Sequence, residues 1–189
     1  MIVFQGPTGS GKSMQAQLMA VRHGWRWLSA GQLLRDTHDP EIYKYLRAGE
    51  LVPNDLIDQA IFRELAKTGS TGAERRHILD GYPRELAQAK NLVEHEIQRN
   101  GKPQIDAVIV IAVTEAEIMK RLDLRGRMED NVETIKHRLE VYAAQTQPIL
   151  DYFDELGVPI EEIDGVGTVG KVHDRIEAAL ERAGVVEAF

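Results

Sequence analysis

"GPTGSGKS", Gly6–Ser13, comes straight after "MIVFQ", the apolar run that opens the chain. Gly-x4-Gly-Lys-Ser is the spacing of a phosphate-binding P-loop. Its glycines adopt backbone conformations that other residues resist, so successive N–H groups turn inward on a phosphate chain. Lys12 supplies a point charge for the outer phosphates, and the Ser13 hydroxyl supplies a ligand for Mg²⁺. The setting gives the motif its weight. A strand precedes it, and a helix is predicted over 13–22, where Met14, Leu18 and Val21 recur at helical spacing. The loop points to a nucleoside triphosphate as donor and says nothing of the acceptor.

Working outward, short apolar runs alternate with long helical patterns. Further strands are predicted at "WRWLS" (25–29), "HILD" (77–80), "AVIVIAV" (107–113) and "VPIEEID" (158–164). The run at 107–113 is β-branched with no polar alternation, as expected of a strand covered on both faces. Helices are predicted over 131–156 and 168–182, with Asp130 and Glu133 spaced as a capping pair for the first. Trp25 and Trp27 read as packing residues. The stretch "KTGSTGAE" (67–74) is the most loop-like. Strands interleaved with helices imply βαβ crossovers and a parallel α/β sheet of five strands.

Ligands of open parallel sheets bind beyond the carboxyl ends of the strands. Those ends lead into the P-loop, "LSAGQLLR", "LDGYPR" and, through a helix, "RLDLRGRMEDN". Four arginines stand there: Arg35, Arg84, Arg125 and Arg127. Phosphoryl transfer asks a protein mainly for in-line positioning and positive charge around the moving group. Guanidinium groups provide both, because they pair with phosphate through two parallel hydrogen bonds.

Bulk properties narrow the class. The chain has 189 residues, enough for one domain with a real core. Asp and Glu outnumber Lys and Arg 30 to 23, for a formal charge of −7, which argues against a nucleic-acid-binding surface. Cys is absent, so no thiolate or cysteine-based zinc site is expected. The six histidines lack metal-ligand spacing. No run of about 18 apolar residues suggests a membrane span. The expectation is a cytoplasmic monomer acting on small nucleotides.

Five stretches, in order, resemble the nucleoside monophosphate kinases of the adenylate kinase type. "GPTGSGKSMQA" is similar to G-x-P-G-x-G-K-G-T-Q-A, and "LSAGQLLRD" to S-[T/A]-G-D-L-L-R. "GELVPNDL" resembles G-x-L-V-P-D-x-L, "LDGYPRELAQA" resembles L-D-G-[F/Y]-P-R-x-x-x-Q-A, and "RGRMEDNVETIKHRLEVYAAQTQPILDYF" resembles the end of the lid and the long helix after it. The likeness runs from Ile2 to about Leu180.

The resemblance implies roles. Gly6, Pro7, Thr8, Gly9, Ser10, Gly11, Lys12, Ser13 and Met14 would bind ATP, with Arg121 against the donor base and Gly167 near its adenine. Asp80 would hold Mg²⁺ through water, together with Ser13. Arg35 and Arg84 would grip the monophosphate. Arg125, Arg127 and Arg138 would surround the transferred phosphoryl group. Ala30, Gly31, Val52 through its backbone, Gly81 and Gln88 would frame the acceptor base. Residues 30–67 would form a small helical acceptor-binding insertion, and 121–131 a very short lid.

The chain departs from the pattern at Ser13-Met14 in place of Gly-Thr, at Gln32 in place of Asp, and in the lid, where only Gly126 separates Arg125 from Arg127. The activity implied is Mg²⁺-dependent, reversible transfer from ATP to a monophosphate. Gln88 points to AMP. Ala30 points to CMP or UMP, which leaves a UMP/CMP kinase as an alternative. A shikimate- or gluconate-type kinase and a nucleotide-binding module without turnover fit less of the pattern.

Overall fold

The computed structural model describes residues 1–67, 76–125 (Arg125 in its backbone only) and 131–187. Five strands form one sheet: β1 (Ile2–Gln5), β2 (Arg26–Ser29), β3 (His77–Asp80), β4 (Ala107–Ala112) and β5 (Ile160–Asp164). Their order is β2-β3-β1-β4-β5, and every pair is parallel. This is the α/β arrangement expected from the sequence. β1 is central. The chain builds β2 and β3 to one side of it, then β4 and β5 to the other, so the winding reverses between β1 and β4. A ligand crevice opens at such a reversal, and the P-loop leaves β1 at that point.

The helices are α1 (Lys12–His23), α2 (Ala30–Asp36), α3 (Pro40–Ala48), α4 (Asn54–Ala66), α5 (Leu86–Asn100), α6 (Glu115–Arg125), α7 (Val132–Glu155) and α8 (Val169–Arg182). They cover both faces of the sheet. On one face Ile2, Phe4, Ile109 and Ile111 pack on α1 and α8; on the other Val3, Leu79 and Val108 pack on α2, α4, α5 and α7. β4 is buried over its first five residues, which is why its sequence shows no alternation. Among the described residues, no helix is long and apolar enough to cross a membrane.

Several expectations are corrected. Met14, Leu18 and Val21 do not form the packing face of α1: they are 53%, 37% and 83% exposed. The buried face is Gln15, Ala16, Met19 and Ala20. Small alanines let α1 approach the sheet closely, and the Gln15 amide nitrogen donates to the Val169 carbonyl at 2.9 Å. α7 is capped by Asn131, whose side chain accepts from the Thr134 N–H at 2.8 Å, and Glu133 sits in its first turn. Asp130 lies outside the described residues, as do Gly126, Arg127 and all of the predicted 67–74 loop except Lys67. Trp25 falls just outside β2. It packs with Trp27 against the core on the α1 side, as expected of both.

Residues 30–66 are three helices, α2, α3 and α4, joined by short connections. Residues 121–125 of the predicted lid are the last turn of α6. α3 is held against α7: the Arg138 guanidinium donates to the Leu46 carbonyl at 2.7 Å, and the Thr134 hydroxyl to the Arg47 carbonyl at 3.5 Å.

Candidate active site

A cleft of about 510 Å³ opens at the carboxyl ends of the strands. One wall is the P-loop with the start of α1: Gly6, Thr8, Gly9, Gly11, Lys12, Ser13 and Met14 line it. Gly11, at φ 92°, is the N-cap of α1, and no side chain caps that end. The first turn of α1 carries no acidic residue, so that helix end suits an anion. The Lys12 ammonium donates to the Pro7 carbonyl at 3.2 Å across the loop. Pro7 itself does not line the cleft, and Ser10 lies beneath it, 2% exposed.

The opposite wall carries Gly31, Gln32 and Arg35 from α2, Asp80, Gly81 and Arg84 from the end of β3, and Arg138 from α7. Burial between the cleft walls lowers the pKa of Arg84; Asp80 opposes that shift, and the like charges of Arg138 and Arg35 add to it. Arg84 as a whole residue is exposed, and its guanidinium stays charged, as arginine does in proteins. Its Nε donates to the Gly81 carbonyl at 2.8 Å, which fixes the stem. Three guanidinium groups thus share one field, an arrangement that costs free energy until an anion enters.

Asp80 is 2% exposed, yet among the described residues neither of its carboxylate oxygens has a hydrogen-bond partner. A buried polar group in that state asks for an explanation. Asp80 and Ser13 line the same cleft, and a carboxylate with a hydroxyl suits an oxygen-liganded cation that keeps several waters. The residues therefore fit Mg²⁺. Gln32, which stands where the family pattern has Asp, is exposed and donates to Asp36 at 2.6 Å.

Arg121 also lines the cleft, and its guanidinium is well occupied. It donates to Glu117 at 2.8 Å, to the Ser10 carbonyl at 3.1 Å and to the Gly165 carbonyl at 2.9 Å. It ties α6, the P-loop and the connection after β5 together. Gly167 lies in that connection, outside the cleft lining. The side chain of Arg125, and the whole of Arg127, lie outside the described residues.

A small pocket adjoins the cleft, bordered by Ala30, Leu34, Val52, Ile57, Gly81, Arg84 and Gln88. It brings together every residue expected around the acceptor base except Gly31, which lines the main cleft. Gln88 is 2% exposed.

Sequence reading missed Gln5. It is 4% exposed, and its amide nitrogen donates to the Pro83 carbonyl at 2.7 Å, joining the entry of the P-loop to the Arg84 loop. A polar residue closing an apolar strand was the available signal. Tyr142 and Thr146 of α7 also line the cleft.

The family model for adenylate kinase matches residues 4–158. The chain is 38% identical to an adenylate kinase of Thermus thermophilus over 189 residues, covering 95% of this chain and 96% of that protein. It is 37% identical to an adenylate kinase of Mycobacterium ulcerans, covering 95% and 98%, and 36% identical to one of Nocardia farcinica, covering 96% and 99%.

Proposed function

Because the chain belongs to the adenylate kinase family, and is thereby a nucleoside monophosphate kinase, we propose that it transfers the γ-phosphoryl group of ATP reversibly to AMP, giving two ADP. One observation carries this reading: an uncapped P-loop helix and the guanidinium groups of Arg35, Arg84 and Arg138 face each other across a single cleft. A donor triphosphate suits the first wall and an acceptor phosphate the second. That its relatives are named adenylate kinases supports AMP as the acceptor.

The P-loop amides and Lys12 hold the β- and γ-phosphates. Arg35 and Arg84 hold the acceptor phosphate, and Arg138, with Arg125 and Arg127, surrounds the group in transit. Asp80 and Ser13 would hold Mg²⁺, which would supply positive charge to neutralise the donor phosphates. Arg121 sets the donor side by holding the Ser10 and Gly165 carbonyls, with Gly167 beside the donor base. In the reaction the bond from the γ-phosphorus to its bridging oxygen breaks, and a bond to an oxygen of the acceptor phosphate forms. That oxygen is already anionic near neutral pH, since the second pKa of a phosphomonoester is about 6. No general base and no covalent intermediate is required. The catalytic work is positioning and charge.

For the base, Gln88 outweighs Ala30. An amide pairs with two atoms of the adenine edge, and a mismatch there leaves buried polar groups unsatisfied. Ala30 only lacks a hydroxyl, so it broadens the preference toward CMP and UMP without switching it. The test is kcat/KM with ATP for AMP, CMP, UMP, GMP and shikimate, repeated on Ala30→Thr and Gln88→Asn. AMP is expected to lead, Ala30→Thr to sharpen its lead and Gln88→Asn to erode it. CMP or UMP ahead of AMP in the wild type would make this a UMP/CMP kinase.

A further inference from the structure

The Gln88 amide stands in a chain of hydrogen bonds whose direction is fixed at both ends. The Arg84 N–H donates to its Oε1 at 2.7 Å, and its Nε2 donates to Asn54 Oδ1 at 2.7 Å. Asn54 Nδ2 in turn donates to Glu85 Oε1. A backbone N–H can only donate, and an ionised carboxylate can only accept. Neither amide can flip without setting like against like. We propose that Asn54 and Glu85 lock the orientation of Gln88, and that this lock lets the acceptor pocket distinguish 6-amino from 6-oxo purines. The proposal rests on Gln88 reading the base of AMP.

An amide oxygen has two lone pairs and an amide nitrogen two hydrogens. The lock uses one of each. One acceptor and one donor remain, at fixed positions on a side chain that borders the small pocket. Adenine offers the complement, an N6–H donor beside the N1 acceptor. Hypoxanthine and guanine offer the reverse, an O6 acceptor beside an N1–H donor. A freely turning amide serves both patterns equally well. A locked one serves adenine and leaves two unmatched buried pairs against a 6-oxo base, which binding sites discriminate strongly.

Asn54 opens α4, within 30–67, and Gln88 lies in the first turn of α5. The lock is not what holds these helices together. Asp58 of α4 accepts from the Tyr82 hydroxyl and from Asn91 Nδ2, each at 2.6 Å. Removing Asn54 therefore frees the amide without undocking α4.

The experiment is kcat/KM for AMP and for inosine monophosphate, with ATP, on the wild type, Asn54→Leu, Glu85→Gln and Asn54→Asp. Thermal unfolding is followed on each. Asn54→Leu should lower the AMP-over-IMP ratio about tenfold, mainly through KM for the monophosphates. Glu85→Gln should lower it less, because Asn54 Oδ1 is still there to accept from Gln88 Nε2. Asn54→Asp still accepts from Gln88, so it should keep the ratio even though it faces Glu85 and loses stability. A purely structural role would move the unfolding temperature and leave the ratio alone. Should Asn54→Leu not fold, Glu85→Gln and Asn54→Asp read the same contrast. An unchanged ratio in an Asn54→Leu that still uses AMP overturns the lock alone. A wild type that does not use AMP overturns the reading beneath it.

Discussion

Alanine at Gly9 separates two costs that a P-loop glycine avoids. Gly9 has φ 79°, a left-handed conformation that strains any residue with a Cβ by about 1–2 kcal/mol. A Cβ there would also stand 2.9 Å from Leu122 Cγ and 3.1 Å from Ile118 Cγ2. Those side chains are 1% and 2% exposed and packed in their own cluster, so neither can swing away. Overpacking of that kind costs about 1–3 kcal/mol. Gly9→Ala should therefore lose about 2–5 kcal/mol in all, or roughly 4–20 °C in Tm for a domain of this size. Gly11→Ala is the control. Its φ is 92°, but the nearest atom to a Cβ is Arg121 Nη1 at 3.8 Å, so only the backbone strain applies. The assay is urea unfolding of both variants, with Leu122→Ala added to each background. Leu122→Ala should cost about 1–3 kcal/mol less beside Gly9→Ala than in the wild type, because it gives back the space. The reasoning is refuted if Gly9→Ala is no costlier than Gly11→Ala, or if Leu122→Ala costs the same in both backgrounds.

Lys12→Met should unfold like the wild type while kcat falls at least about 100-fold, since a charge at the transferring phosphates is lost; near-normal turnover would remove Lys12 from the mechanism. On α1, Val21→Glu should change stability by no more than about 0.5 kcal/mol, whereas Met19→Ala should cost about 2–5 kcal/mol; urea midpoints of the two check which face is buried. Burial, helped by the charges of Arg26, the N-terminus and Arg99, pushes His77 down to about 4. Its folded pKa lies below the unfolded one, near 6.5, so the unfolded chain takes up the proton first. Stability from this group is complete above about pH 6.5 and is lost as the pH falls toward 4. His77→Gln should flatten the stability profile across that window, and equal profiles for the two proteins would contradict this.

Where the sequence was legible, the signal was local. "HILD" and "AVIVIAV" read as strands because β-branched and apolar residues crowd a short run, and strands stand there, the second ending one residue earlier at Ala112. The P-loop and the "DGYPR" loop read as a site because each packs its chemistry into a few consecutive residues. The apolar spacing that marks α1 as a helix is not the face it buries, because two stripes share that spacing. Met14, Leu18 and Val21 score as apolar, whereas the true face is built from two alanines, Met19 and a glutamine whose amide nitrogen donates to the Val169 carbonyl. Cap assignment slipped by one residue, from Asp130 to Asn131, because either side chain can cap. The rest depends on tertiary approach. Arg138 meets the Leu46 carbonyl across 92 residues of sequence, Gln5 meets Pro83 across 78, and Gln88 meets Asn54 across 34. No periodicity carries such pairings; they appear only once the sheet has set its strand order.

The central claim is that one cleft passes a phosphoryl group from ATP to AMP. Phosphorus NMR of ATP and AMP mixed with the wild type and Mg²⁺ tests it most directly, because every phosphate is seen at once. The account predicts that the ATP and AMP signals fall together while two ADP appear for each pair lost, that the mixture reaches the same composition starting from ADP, and that Asp80→Asn slows the approach from both sides. ATP falling to ADP and free phosphate with AMP untouched, or an unchanging mixture, would contradict it.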